Sequence, residues 1–416
     1  MFELLLPVAL GMLGGGIGLA LAGRMRRNRQ VVLEEADALQ AQGKLRAAAS
    51  SLEQALKSAT VAEAVFIAEA RYRLCGLYVA LGQWQLAEQV CQELLESGSE
   101  LGLSGKHDVL RHLARSLDEQ GQSVAATAAR AQADTLVEKI PDTAYRLFAR
   151  QERLVRHGQY REALALQEEL LTSYPERVSV ETLLCYTAFT AQHAGYPQDA
   201  LRYVSKALAR PRLPATLQWE AHRVGYHAAE AQHDWQQMLE RARALKNLAD
   251  EPRSRRYLAN ALLLNNHLEE SAVLLTDEDI GLKITLARLK YDFVSARRDI
   301  ERAPQGANTT LLCAAIELEA GEGARALAAL ETIQEPSVLC QMRRAWARAL
   351  LGIPEMPPDP DPGDDTQQLE ACAQAHWHRG AQEAALAVQE HLLQQPLAPA
   401  FRAYHEAVLK QWKIIL

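Results

Sequence analysis

The sequence predicts an all-α protein: a superhelical solenoid of paired helices, preceded by one amino-terminal transmembrane helix. Three observations carry this. The first is composition, in which Ala, Leu, Gln, Glu and Arg abound and runs of Val, Ile and Thr are scarce. The second is a short signature of glycine, large apolar residue and alanine that returns between amphipathic segments. The third is an uncharged apolar stretch close to the amino terminus. At 416 residues the chain is too long for one ordinary compact domain. The predicted organisation is an anchor with a basic flank over residues 1–30 and a helical array over 31–353. A linker over 354–365 and a helix pair with a capping helix over 366–416 follow.

The anchor runs from Leu4 to Gly23, twenty residues without a charge. A helix of that length spans about 30 Å, the thickness of a bilayer's hydrocarbon core. Arg24, Arg26, Arg27 and Arg29 follow it, and only Glu3 precedes it. Positive charge stays on the cytoplasmic side, so the array is expected to face the cytoplasm from an inner membrane. A cleaved signal peptide could use Ala20-Leu21-Ala22, but it would carry its charge before the apolar stretch. The spacings Gly11–Gly15 and Gly14–Gly18 allow close approach of two such helices, and with it a homo-oligomer.

The array is read from its repeats. The clearest copy places Tyr72, Leu74, Cys75 and Tyr78 before Gly82, then Trp84, Ala87, Cys91 and Leu94. A second places Leu147 and Leu154 before Gly158, then Tyr160, Ala163 and Leu170. Others centre on Gly43 with Leu45 and Ala48, and on Gly195 with Tyr196 and Ala200. Looser copies follow at Trp235, at Asn266 to Leu268, at Tyr291 to Phe293 and at Gly380. This pattern resembles the tetratricopeptide repeat family, whose unit of about 34 residues pairs two antiparallel helices. The resemblance covers roughly residues 32–352 and again 366–396. It implies that the glycine frees the turn, that the large residue anchors the second helix, and that the alanine lets the helices approach. Copies between 250 and 350 are shorter, and their register is not fixed by the pattern. Beyond them Pro354, Pro357, Pro358, Pro360 and Pro362 alternate with acidic residues, a composition that predicts an extended linker.

The resemblance also implies a binding surface, because the first helix of each unit in this family lines a concave groove. The phase set by Trp235 and Leu268 places Glu220, Arg223, His227 and Glu230 there, then Arg253, Arg256, Asn260 and Leu263. Arg256 with Asn260 resembles half of the family's clamp for a peptide carboxylate, since a planar guanidinium can bond both oxygens. Upstream, Tyr145, Phe148, Cys185 and Phe189 predict a more apolar groove suited to an amphipathic helix or extended segment.

Other chemistry finds little support in the sequence. The net charge of −7 offers no basic face for nucleic acid. No phosphate loop, G-x-S-x-G elbow or H-E-x-x-H motif occurs, so neither catalysis nor a cofactor is expected. Cys372, His376 and His378 form one metal-like cluster, but His378 lies off the face that the other two share and a fourth ligand is missing. The six cysteines include no C-x-x-C pair, and the expectation is free thiols in a reducing compartment.

The expected function is a membrane-tethered scaffold that binds protein or peptide partners and recruits them to an inner-membrane complex. The layout is similar to that of bacterial membrane-anchored tetratricopeptide regulators of lipopolysaccharide assembly, although their four-cysteine, rubredoxin-like tail has no counterpart here. Two alternatives stand beside it. One is a periplasmic or exported protein of the same fold in envelope or polysaccharide assembly. The other is a metal-dependent regulator using the Cys372 cluster.

Overall fold

A computed structural model of the protein describes residues 29–415 apart from 41, 61–62, 98–100, 178, 212, 354 and 361–364. The stretch Leu4–Gly23 expected to span a membrane lies outside the described residues. No helix within them is long and apolar enough to cross a membrane. Among the described residues there are no strands.

The chain forms two compact units that meet after residue 178, and each is a stack of helical hairpins. The first pairs α1 (29–40) with α2 (Leu45–Lys57), and α3 (Ala64–Ala80) with α4 (Trp84–Glu96). It continues with α5 (Leu103–Glu119) and α6 (Ser123–Val137), then α7 (Thr143–Arg156) and α8 (Tyr160–Ser173). The second unit pairs α9 (Val180–His193) with α10 (Pro197–Leu208), and α11 (Ala215–Ala231) with α12 (Trp235–Leu248). Shorter hairpins follow: α13 (Pro252–Leu264) with α14 (Leu268–Leu274), α15 (Ile280–Leu289) with α16 (Phe293–Ile300), and α17 (Ala307–Glu319) with α18 (Gly323–Glu331). It ends with α19 (Val338–Leu350), α20 (Thr366–His378), α21 (Gln382–Gln394) and α22 (Pro399–Ile415).

One local device ends the first helix of every hairpin. The residue after the last turn takes a left-handed backbone, and the next amide reaches back five residues. Gln83 N donates to Tyr78 O, and Gln159 N to Leu154 O, each at 2.9 Å. Glycine stands at eight such turns, among them Gly82 (φ 69°) and Gly158 (φ 72°), because a Cβ would crowd this backbone. His233, Asn266 and Tyr291 stand at three more.

Beyond most turns the sealed residue is the alanine, replaced by Met238 after His233 and by Ser271 after Asn266. Ala87, Ala163 and Ala200 are all 0% exposed. Trp84, Tyr160 and Trp235, expected as the anchors, are half-buried, and Tyr196 is exposed. A large ring at the start of the second helix covers the turn from outside, while a small side chain lets the two backbones approach. First helices of neighbouring hairpins also touch, as α3 does α5, α9 does α11, α13 does α15 and α17 does α19, and so form the inner layer.

The cysteine expectation is corrected. Cys75 on α3 and Cys91 on α4 form a fully buried disulfide, with Cα atoms 6.1 Å apart. They lie equally far to either side of Gln83, so folding the hairpin sets them opposite each other. Cys185, Cys313, Cys340 and Cys372 are free.

The second unit departs from simple pairing at two places. α19 ends in the same turn at Gly352 (φ 74°), but prolines follow, and residues 355–360 form no second helix. Pro357 is buried and Glu355 pairs with Arg348. The helices on either side pack together, with Trp346 and Met342 against Ala371 and Cys372. The closing helix α22 packs on α21 as a cap would, and also on α13 and α15, far earlier in the unit.

Candidate functional site

In the second unit the inner layer of α9, α11 and α13 presents a stripe of rings and charges. Arg253 lies over the Trp219 ring with its guanidinium 5.0 Å from the centroid, and Trp219 Nε1 donates to Ser254 Oγ at 3.4 Å. Tyr257 meets Trp219, Tyr226 and His227 edge-on, at centroid distances of 6.5, 4.8 and 5.6 Å. His227 also bonds Glu230 at 3.2 Å, and Arg223 pairs with Glu220 at 2.7 Å. Phe189 packs on His193 at 4.2 Å. Burial, with the Arg223 and His227 charges beside it, lowers the His193 pKa.

The structure thus brings Arg223, His227 and Arg253 onto one inner face, with Phe189 on the neighbouring helix. The other predicted groove residues are engaged elsewhere. Asn260 Nδ2 donates to the Tyr226 hydroxyl at 2.8 Å, locking α13 to α11. Arg256 pairs with the buried Asp279, which also accepts from the Thr276 amide at 2.9 Å. Burial alone would raise the Asp279 carboxyl, but bonds from Thr276 and Arg256 hold it below the usual range. Both side chains are thus partly engaged within the fold, although the Arg256 side chain remains about half exposed. Leu263, assigned to the same face, is 1% exposed and belongs to the core. Trp219 and Tyr257 were not among the predicted groove residues. Trp219 lies one residue before Glu220, and Tyr257 one after Arg256, so one more step around each helix would have found them.

In the first unit Tyr145 packs against Val137, Ile140 and Ala149, while polar and charged groups surround its hydroxyl and the Phe148 ring. The Tyr72 hydroxyl donates to Asp108 Oδ2 at 2.8 Å, and Arg111 bridges Asp108 and Glu152 while facing the Phe148 ring. His107 Nδ1 lies 3.0 Å from the Tyr145 hydroxyl. Burial, aided by Arg111, pushes the His107 pKa down to about 4. Burial raises the Glu152 pKa despite the pull of Arg111. Tyr72 and Asp108 are 36 residues apart and Arg111 and Glu152 are 41, about one repeat in each case. That interval between opposite polar partners was the signal in the sequence.

Cys372, His376 and His378 are not gathered into a ligand set, and among the described residues no group of three could hold a metal ion. Burial pushes the Cys372 thiol up to about 11, so it stays protonated at neutral pH.

The left-handed turn, the sealed alanine and the touching first helices recur in both units. Both units are tetratricopeptide-type repeat arrays. No family model matches the chain, and no curated protein sequence does either. Among solved structures, the chain is similar to a tetratricopeptide repeat protein from Parabacteroides merdae, at 14% identity and a TM-score of 0.34. That overlap covers 67% of this chain and 97% of the other. The hetero-tetramer Cut9-Hcn1 of the APC/C aligns at 12% identity and a TM-score of 0.33, over 92% of this chain and 89% of that one. The tetratricopeptide domain of P58(IPK) aligns at 15% identity and a TM-score of 0.30, over 92% and 99%. The assignment of the tetratricopeptide fold rests on the hairpin geometry, not on these overlaps.

Proposed function

We propose that the chain is a membrane-tethered scaffold that acts by binding, not catalysis, and recruits protein partners to an inner-membrane complex. The observation that carries the binding part is the stripe on α11 and α13, where Arg253 covers Trp219 beside Tyr257 and His227. Half-buried rings with a guanidinium over one face suit a peptide that carries acidic and apolar side chains together. The tether rests on Leu4–Gly23 and the arginines after it.

The test is affinity capture from detergent-solubilised membranes. Wild-type protein should retain a partner that a Trp219→Ala/Arg253→Glu variant loses, with helicity and melting unchanged. Arg243→Glu, on the second helix α12, is the control and should capture normally. Retention of the same partner by the double variant would remove this face from consideration.

The disulfide favours a second reading. Such bonds persist in oxidising compartments, so Cys75–Cys91 supports an exported array in envelope assembly. The basic flank supports the cytoplasmic side. A carboxyl-terminal reporter active only in the cytoplasm, read together with thiol trapping of Cys75 in intact cells, separates the two.

A further inference from the structure

The two halves of α22 rest on different foundations. Toward its carboxyl end Trp412 is buried and stacks flat on Trp377 of α20, with centroids 4.5 Å apart and planes within 4°. Nearby Ala373 and Ala385 are sealed as well, so this end is ordinary core. Toward its amino end the helix crosses the inner layer. Tyr404 stacks on Tyr291 at 5.4 Å, and Phe401 and Tyr404 border Arg288, Glu319 and Glu370.

Ala400 and His405 on that amino half are buried, but the packing beside it is incomplete. A cavity of about 830 Å³ lies there, with Trp235 and Leu264 among its walls and Arg343, Phe401 and His405 among the others. Arg343 is 5% exposed, and its donors reach the Leu311 carbonyl at 2.8 Å and the Gln367 side chain at 3.2 Å. The Glu370 and Glu319 carboxylates lie close enough to act on its charge, although burial still lowers its pKa. A fully packed helix contact would fill such a space. Tyr291 keeps a left-handed backbone (φ 57°) where most turns have glycine, and its ring is the platform on which Tyr404 rests.

We propose that the amino-terminal half of α22 is a resident, displaceable ligand of this groove. The partner that the groove fits is an amphipathic helix presenting two aromatic side chains about one turn apart, as Phe401 and Tyr404 do. Such a helix would take the place of the amino half of α22, while Trp412 keeps the carboxyl half attached. The inference rests on reading the inner layer as the partner-binding surface, and it adds the class of partner and the device that controls access.

The test uses the full chain in detergent and a fluorescent peptide of residues 396–409. Peptide affinity should be at least ten-fold higher for a Phe401→Ala/Tyr404→Ala chain than for wild type, and a peptide with the same two alanines should not bind. Equal binding to both chains, or to neither while both keep wild-type helicity, overturns the proposal. A dimer of wild-type chains that the free peptide dissociates would place α22 in a neighbouring copy, and overturns it too. If the variant loses helicity, hydrogen exchange on wild type decides. Amides of 403–409 should exchange at least ten-fold faster than those of α20, and equal protection would make α22 a fixed core helix. No outside partner is involved, so failure here leaves the capture experiment at Trp219 and Arg253 unaffected, and the converse holds.

Discussion

His233, Asn266 and Tyr291 hold backbone φ values of 56°, 65° and 57° at turns where other hairpins have glycine. A left-handed backbone costs an L-residue about 1–2 kcal/mol, and asparagine tolerates it best. His233→Gly should therefore raise stability by up to about 1 kcal/mol, and Gly158→Ala should lower it by about 1–2 kcal/mol. Thermal melts of the two variants decide, and shifts of the same sign would sink the argument. The glycine turns at Gly43, Gly82, Gly158, Gly195 and Gly380 were legible in the sequence because their geometry is local, while Gly321 and Gly352 lie where the repeats are short. The three substitutes were found only through the large residue that follows each of them. Titration adds a second residue-scale prediction. His107 and His405 are buried, and burial holds both pKa values down at about 4. Above pH 6.5 both are neutral whether the chain is folded or not. Between pH 6.5 and about 4 the unfolded chain takes up protons that the folded one refuses, so stability falls with pH, by up to about 3 kcal/mol for each histidine. His107→Gln should flatten the dependence of melting temperature on pH across that window. An unchanged slope would mean that His107 titrates normally in the fold.

Two elements carry constraints that the repeat pattern does not encode. The first is Gly323, which opens α18 against the end of α19. A Cβ placed there would lie 2.8 Å from the Ala347 carbonyl oxygen and 2.9 Å from Leu350 Cβ. The carbonyl cannot move without the helix, so Gly323→Ala should cost about 1–3 kcal/mol. Gly281 on α15 faces open space, and Gly281→Ala should be neutral or stabilising by up to about 1 kcal/mol. Denaturant melts that rank the two alanines equally would contradict this packing. The second is the Cys75–Cys91 staple across one hairpin, with a sequence separation of 16. Reduction should destabilise the first unit by about 3 kcal/mol, and a Cys75→Ser/Cys91→Ser chain should be insensitive to reductant. A melting temperature of the wild type that ignores reductant would show that the bond constrains nothing. Both features depend on which residues face each other across a turn, which a cysteine count or a glycine pattern does not reveal. The inner face was legible only in part for a related reason. Phase places Arg223 and Arg256 on the proper helix, but whether each is offered or occupied depends on Glu220 beside the one and Asp279 in the next hairpin.

On the scale of the molecule, the proposed tether is the uncharged stretch Leu4–Gly23. A charge at mid-span costs about 2.5–3.5 kcal/mol on insertion scales, so Leu13→Arg should move the protein into the soluble fraction on cell fractionation. A variant that still sediments with membranes would show that something other than Leu4–Gly23 holds it there. Within the second unit the return of α22 to α13 and α15 alters how stability is shared. In an open stack each hairpin leans only on its neighbours, so the ends fray and the middle can open piecemeal. α22 ties the last hairpin to two that precede it by a long stretch of chain, including the hairpin whose second helix, α14, has only 7 residues. The line of nearest-neighbour couplings is thereby closed into a loop, and opening any hairpin inside it strains the bond between its ends. While α22 is seated, this one long-range contact adds cooperativity, and displacing its amino half returns the unit to a line of nearest-neighbour couplings.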